Sequence, residues 1–373
     1  MKSKEILEKV LKSADIKING DRPWDIKVLD ERLYNRVLLK GTLGIGEAYM
    51  DGWWECDQLD EMVYRASRFI EKNEFYKGFA HLFHTLRSKI LNLQTKSGSK
   101  RVAEEHYDLG NDLYMSFLDP YNQYTCGYFK ETTDLNKAQE QKLDLICRKL
   151  QLKPGDKVLD IGCGWGGFSK YAAEHYGCHV TGISISEEQI KFAKDFTKNL
   201  SVDIVKTDYR DLEGTFDKVL ICGMIEHVGY KNYGEIFKIV KKHLAKDGLF
   251  LLHTIGRNDS VTTSEPWINK YIFPNSMAPS QEQLAKASNG LFVLEDWHNF
   301  GQYYDPTLMA WFRNFDAAWP KLKSTKKIYN ERFYRMFKYY LLACAGAFRA
   351  RDLQLFQLVL SPQGVPGGYK SVR

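Results

Sequence analysis

The segment Val158-Leu159-Asp160-Ile161-Gly162-Cys163-Gly164-Trp165-Gly166-Gly167 runs an apolar strand into a glycine-rich turn and then into a helix. Glycines let a backbone approach a ligand closely, and the first N–H groups of a helix have no partners within it. This pattern predicts a site for a nucleotide-like cofactor. Gly162, Gly164 and Gly167 also satisfy G-x-G-x-x-G, so a dinucleotide is one candidate ligand. Two features count against it. Asp160 stands two residues before the first glycine, where a carboxylate suits an ammonium group better than a pyrophosphate. The next strand, HVTGIS, leads to Ser184 and Ser186 with no acid at its tip, and Glu187 and Glu188 come late for holding a dinucleotide's ribose. A turn with a purely structural task is the remaining alternative.

Three further positions invite a chemical reading, and each has a plainer one. Glu226 and His227 directly follow the strand KVLIC, so they are expected at a sheet's carboxyl edge, where one of them could simply cap a helix. His253 lies inside the apolar strand LFLLHTI and could be a core histidine with satisfied hydrogen bonds. Cys344, flanked by Ala343 and Ala345 and followed by Gly346, reads most simply as a small packing residue on a helix.

The elements that must position these residues alternate in type. From Val158 onward VLDI, HVTGIS, VDIVK, KVLIC and LFLLHTI are strand candidates, separated by helical patterns such as EEQIKFAKDF and YGEIFKIVKKHL. Such alternation predicts a parallel sheet with helices on both faces and ligands at the carboxyl ends of the strands. FVLEDWH (292–298) and LQLFQLVL (353–360) would complete seven strands. WINKYIFPNSMAPSQEQLAKA and the helical stretch 307–348 exceed ordinary loops and are expected to roof a pocket. Upstream, residues 1 to about 74 read as a small mixed domain opening with an amphipathic helix (Ile6, Leu7, Val10, Leu11). Between Phe75 and Leu93, Phe79, Leu82, Phe83, Leu86, Ile90 and Leu93 recur at helical spacing, with Lys77, Arg87 and Lys89 mainly elsewhere on the wheel. That basic amphipathic helix packs on a neighbour or lies on a membrane surface. The division expected is residues 1–94 as a lipid- or membrane-associating domain, 95–103 as a linker and 104–373 as the catalytic domain.

Composition narrows the classes. A chain of 373 residues, 44% hydrophobic and 27% charged, can bury a large core and gives no general case for disorder. No apolar run approaches the roughly 20 residues that cross a bilayer, and the N-terminal segment mixes charge with apolar residues, so a cytoplasmic protein is expected. Seven scattered cysteines without CxxC suggest thiols, with neither a disulfide framework nor a zinc site. His81 and His84 share a helical face but lack further ligands, and no metal is expected. The net charge of +6 is modest, yet six basic residues and no acid fall between Phe75 and Ala103. Nucleic-acid phosphate or lipid headgroups would answer such a stretch equally.

The DIGCGWGG string resembles the first motif of Rossmann-like methyltransferases, which favours S-adenosylmethionine. EHYDLGND (105–112), QYTCGYF (123–129), MIEHVG (224–229), LLHTIG (251–256), PWINKYIFP (266–274), LMAWF (308–312) and ACAGAFRARDLQL (343–355) make the likeness closer. Together they resemble the cyclopropane-fatty-acyl-phospholipid synthases. LGIGEAYMDGWWECDQLD (43–60) is similar to the extra N-terminal domain of the bacterial enzymes, which the shorter mycolic acid cyclopropane synthases lack. The resemblance implies an α/β fold: a Rossmann-like, seven-stranded class I S-adenosylmethionine-dependent methyltransferase domain with a small N-terminal α+β domain.

It also implies roles. Tyr124 and Thr125 would border the methionine end of the cofactor, Asp160, Gly162, Gly164 and Gly166 would receive it, and Ser184, Ile185 and Gln189 would lie along its ribose and adenine, with Tyr209 beside the ring. Ser184 replaces a frequent Thr and Thr125 a frequent Ser, each keeping a hydroxyl. The implied reaction adds a methylene from S-adenosylmethionine across the cis double bond of an unsaturated phospholipid acyl chain. Attack of the alkene on the sulfonium methyl leaves a carbocation, and ring closure requires a proton to leave the new methyl group. Related enzymes hold bicarbonate as the base, and the positions carried over are Cys126, Glu226, His253, Ile255 through its backbone, and Tyr304. Cys344 is a family-implied active-site residue, although methyl transfer to an alkene needs no covalent intermediate. A homodimer on the inner face of the cell membrane is the implied setting. Rival readings are a methyltransferase giving a methyl-branched lipid, a non-catalytic lipid binder, and a nucleic-acid methyltransferase. MIEH stands where the last would carry a DPPY- or NPPY-like tetrapeptide, so no nucleic-acid partner is expected.

Overall fold

A computed structural model describes residues 3–70 and 110–373. The basic helix with Lys77, Arg87 and Lys89, His81 and His84, the linker 95–103 and the start of EHYDLGND lie outside the described residues. Contacts divide the chain into two compact units. The first holds residues 3–70, Thr262–Pro274 and Tyr304–Leu353, and the second residues 110–261, Asn275–Tyr303 and Gln354–Arg373. The sequence reading ran a catalytic domain unbroken from 104 to 373, whereas the contacts return two of its long inserts to the N-terminal unit. The reason is apolar surface: these inserts carry faces too large for loops, and the N-terminal helices bury them.

In the first unit, strands β1 (Lys27–Val28) and β2 (Trp54–Glu55) form a short antiparallel ribbon among helices Ser3–Lys12, Arg32–Met50 and Leu59–Phe69. Helix Ser3–Lys12 buries Leu7 and Leu11, half of the predicted stripe. Lys270 and Tyr271 from the first insert bond the buried Glu47 carboxylate at 2.6 and 3.1 Å. Helix Glu331–Arg349, from the second insert, sends Arg335 to the Trp54 carbonyl and Arg349 to Asp60 and Asp305. A Cβ on Gly346 would stand 2.3 Å from the Asp60 carbonyl oxygen, so the glycine of ACAGAF sets how closely this helix meets Leu59–Phe69. Among the described residues no helix is long and apolar enough to cross a membrane.

The second unit is built on β3 (Lys157–Ile161), β4 (His179–Ser184), β5 (Val202–Lys206), β6 (Phe216–Cys222), β7 (Leu244–Arg257), β8 (Val293–Asn299) and β9 (Leu353–Ser361). The order is β5-β4-β3-β6-β7-β9-β8, so the seven strands expected from the sequence form one sheet. β3 pairs in parallel with β4 and β6, β4 with β5 and β6 with β7, while β8 and β9 are antiparallel. The chain leaves β3 towards β4 and β5, then returns to the other side of β3 as β6. Loops from β3 and β6 therefore diverge, opening a crevice at their carboxyl ends. Val158, Leu159, Val219, Leu220 and Ile221 are fully buried beneath it, as an apolar parallel sheet with two covered faces requires.

Candidate functional site

β3 ends at Ile161, and the chain turns through Gly162 (φ 81), Gly164 (φ 54) and Gly166 (φ 82), all in the left-handed region that favours glycine. Their surroundings differ. A Cβ on Gly162 would meet the Met224 side chain at 2.7 Å and one on Gly166 would press Ala193 at 3.1 Å, but one on Gly164 would meet nothing within 4 Å. The turn thus exposes backbone to open volume at Gly164. Gly166 then caps helix Gly167–Tyr176, whose first residue leaves no room for a side chain beneath the Tyr121 carbonyl.

Asp160 is buried and accepts a hydrogen bond from the Ser169 hydroxyl at 2.8 Å. Burial pushes its carboxyl up to about 7, with Ser169 and the Lys142 charge opposing. At the tip of β4 the Ser184 hydroxyl lies 3.4 Å from Gln189 Oε1, and the Ser184 carbonyl accepts from the Thr207 N–H just past β5. Ile185 is half-buried beside them. Tyr209 follows β5 with Arg210 against its ring, and its buried hydroxyl has no hydrogen-bond partner among the described residues. An orphaned buried hydroxyl loses water without recompense unless a ligand meets it.

Glu226 and His253 sit past β6 and near the end of β7, where Cys222 pairs with His253. The Ile255 N–H donates to Glu226 Oε1 at 2.8 Å, while the Met277 N–H donates to the Glu226 carbonyl. Glu226 Oε2 is buried and unpartnered among the described residues. Burial pushes this carboxyl up to about 7 against the pull of the backbone N–H groups. His253 is held neutral, well below its ordinary value, by burial and then by the Lys142 and Lys149 charges. As assigned, the Gln357 amide donates to His253 Nδ1 at 3.1 Å, which leaves the ring hydrogen on Nε2. That atom too is buried without a partner among the described residues. The plainer reading of His253 as a satisfied core residue therefore covers only one of its nitrogens.

Tyr124, Thr125 and Cys126 belong to a segment packed on the same crevice. The Tyr124 ring lies against Tyr114 and Phe117, and Tyr114 against Trp165 of the glycine turn. Cys126 is buried, its thiol 3.3 Å from the Gly127 carbonyl. Sequence reasoning passed over what anchors this segment. Helix Leu135–Lys149 sends Gln139 to the Thr125 carbonyl at 2.8 Å and Lys142 to the Thr125 hydroxyl at 2.8 Å and the Gln123 amide oxygen. The signal was present, because Lys142 occupies the buried stripe that includes Leu135, Ala138, Leu145 and Lys149.

Tyr304 and Cys344 belong to the first unit. The Tyr304 ring stacks on Phe348 at 4.3 Å, and burial followed by the Glu265 carboxylate pushes the Cys344 thiol up to about 12. Burial thus favours the protonated thiol, the weaker nucleophile.

The second unit offers a glycine cradle open to a ligand and, counting partners among the described residues, a buried tyrosine hydroxyl without one and an acid and an imidazole each presenting one unpaired atom. Comparisons with known proteins give the family of the chain. The family described as mycolic acid cyclopropane synthetase matches residues 94–358. The cyclopropane-fatty-acyl-phospholipid synthase of Escherichia coli K12 is 50% identical over 368 residues, covering 99% of this chain and 95% of its own. A sphingolipid C9-methyltransferase A of Emericella nidulans is 34% identical over 299 residues, covering 76% of this chain and 57% of its own. Among solved structures, the mycolic acid cyclopropane synthase CmaA1 complexed with SAH and CTAB aligns with a TM-score of 0.63 at 28% identity, over 70% of this chain and 97% of that one.

Proposed function

The chain belongs to the mycolic acid cyclopropane synthetase family of S-adenosylmethionine-dependent methyltransferases, and from that premise we propose that it is a cyclopropane-fatty-acyl-phospholipid synthase. It adds methylene to the cis double bond of unsaturated phospholipid acyl chains and releases S-adenosylhomocysteine. The observation that carries this reading is the pair of buried atoms without a partner among the described residues, Glu226 Oε2 and His253 Nε2, at the carboxyl ends of neighbouring strands.

The residues present fit both implied groups. Open volume at Gly164 and the Tyr209 hydroxyl, unpartnered among the described residues, suit the cofactor, whose ribose and adenine would be held by Ser184, Ile185, Gln189 and Tyr209. Its methionine end lies by Tyr124 and Thr125, with Asp160 towards its ammonium group. S-adenosylmethionine supplies the electrophilic methyl. The alkene's π pair forms the new C–C bond, the sulfonium C–S bond breaks, and a C–H bond of the added methyl then closes the ring as its proton leaves. An oxyanion answers the two orphaned atoms: His253 Nε2 donates, and Glu226 is poised near neutrality to donate or accept. Bicarbonate bound there would supply the base, with Cys126 and the Ile255 backbone beside it. Ile255 uses its N–H to orient Glu226, so its contribution is to aim the carboxyl.

The test is methyl transfer from deuterated-methyl S-adenosylmethionine to vesicles of cis-unsaturated phospholipid, read by mass spectrometry of the acyl chains. We expect one methyl deuteron to be lost, as cyclopropane formation demands. Retention of all of them would identify a methyl-branching enzyme, and no transfer would leave a lipid binder.

The substrate stays in the bilayer, so the enzyme works peripherally at the inner face of the membrane, as a homodimer, with residues 1–94 delivering the catalytic machinery. Exposed Leu29 and Leu39, with Arg32 and Arg36 over the Trp53 ring, support a surface-seeking first unit. Each basic residue near an anionic surface adds about 1 kcal/mol. Reversing Lys77, Arg87 and Lys89 to Glu is therefore expected to weaken binding to anionic vesicles at least tenfold, and salt should no longer modulate what remains. Affinity for S-adenosylhomocysteine should not change. Vesicle binding with undiminished salt dependence in that variant would move the docking surface elsewhere.

A further inference from the structure

Lys142 is fully buried, and nothing in the chemistry described so far employs it. An ammonium group only donates, so its two partners, Gln123 and Thr125, have their orientations fixed. Gln123 must turn its oxygen to Lys142, and its nitrogen accordingly donates to the Tyr121 carbonyl at 3.1 Å. Thr125 must accept at its hydroxyl oxygen, so its own hydrogen has to point elsewhere. Among the described residues the other neighbour of that oxygen is the Cys222 sulfur at 3.9 Å, a distance at which it is at most a weak acceptor for the hydrogen. Gln139 holds the Thr125 carbonyl at 2.8 Å, so the backbone cannot swing to change this.

Charge points the same way. Burial draws the Lys142 ammonium below its ordinary value, while the Asp119 and Asp160 carboxylates pull it back up. Asp119 already accepts the Gln123 and Tyr121 N–H groups, at 2.8 Å each, and Asp160 accepts from Ser169. Neither carboxylate is bonded to Lys142. A buried cation bonded only to neutral oxygens is costly, and a ligand anion nearby would relieve it.

We propose that Lys142 is a positioning residue for the amino-acid end of the cofactor, turning the Thr125 hydroxyl hydrogen towards the cofactor's carboxylate and placing a buried positive charge behind it. The inference rests on the cofactor pose proposed above. Asp160 and Lys142 then bracket a zwitterion, the acid on the ammonium side and the lysine, through Thr125, on the carboxylate side.

Calorimetry with two ligands tests it: S-adenosylhomocysteine, which carries the amino acid, and 5′-methylthioadenosine, which lacks it. Lys142→Met is expected to lose at least tenfold in affinity for the first and less than about threefold for the second, and Thr125→Val to show the same selectivity. In the Thr125→Val background, Lys142→Met should cost less than it does in the wild type, because only the charge behind the carboxylate is then lost. Should Lys142→Met fail to fold, seen as loss of its thermal transition, Thr125→Val alone decides. Equal weakening of both ligands, or unchanged S-adenosylhomocysteine affinity in Thr125→Val, overturns the role of Lys142 while leaving the cofactor site standing. Wild-type protein that binds neither ligand overturns the pose and this inference with it.

Discussion

Gly164→Val is expected to lower affinity for S-adenosylhomocysteine at least 100-fold, about 2.7 kcal/mol, while the protein stays folded. A Cβ there would meet no atom of the described residues within 4 Å beyond its chain neighbours, so the branch starts in open space. It projects into the open volume over the turn. The cost to the fold is backbone strain, because a β-branched residue at φ 54 gives up about 1–3 kcal/mol. Gly155 provides the control. It too has positive φ, 85, with nothing within 4 Å of its Cβ position, but it lies in the turn before β3, at the opposite end of the strand from the glycine turn. Gly155→Val should show comparable strain in thermal denaturation and unaltered ligand affinity. Equal binding by the Gly164 variant and wild type would remove the glycine turn from the cofactor site.

Glu226→Gln should cut turnover by at least tenfold, within the roughly 10²–10⁴ that acid–base groups commonly contribute, with cofactor affinity held within about threefold. The amide keeps the shape and can still accept the Ile255 N–H, but it cannot exchange a proton with a bound anion. Stability distinguishes this from a structural role. The carboxyl of Glu226 is raised from 4.5 to about 7, so between those pH values the folded protein holds a proton that the unfolded chain has released. Stability from this group is therefore present at low pH and declines as pH rises through that window, with no further loss above it. Gln does not titrate. Compared by thermal denaturation without cofactor, the variant should gain on wild type from pH 4.5 to 7 and equal or exceed it at pH 8. A variant with lower stability at pH 8 and turnover reduced only in proportion would make Glu226 a structural residue.

The parts of the fold legible in the sequence were those with local causes. Alternating apolar strands and amphipathic helices announced the sheet, and all seven strand candidates joined it, because strand burial on both faces leaves continuous apolar runs. The division of the chain was not local. Residues 262–274 and 304–353 read as inserts of a catalytic domain, but Trp267 fills space that a Cβ on Gly46 would invade, and Gly346 admits the Asp60 backbone. Spacing along a helix tells which face is apolar and says nothing of which distant helix will cover it.

The same distinction runs through the site. By itself the sequence determined the glycine turn, since Gly162, Gly164 and Gly166 each adopt a left-handed φ that other residues resist, and a run of such positions between strand and helix has few uses. It also determined the family, through motifs spread along the chain. Only the tertiary structure decided which polar atoms are left wanting. His253 could have been fully satisfied, yet among the described residues Gln357 from β9 reaches one nitrogen and none bonds the other; the Ile255 N–H meets one oxygen of Glu226, and its Oε2 is unpartnered among them. Lys142 sat unnoticed in a helix because a lysine in a sequence is presumed to find water. Folding removed that water and left Gln123 and Thr125 in its place, and desolvation, which depends on everything packed around a group, is what turns an ordinary residue type into a chemical one.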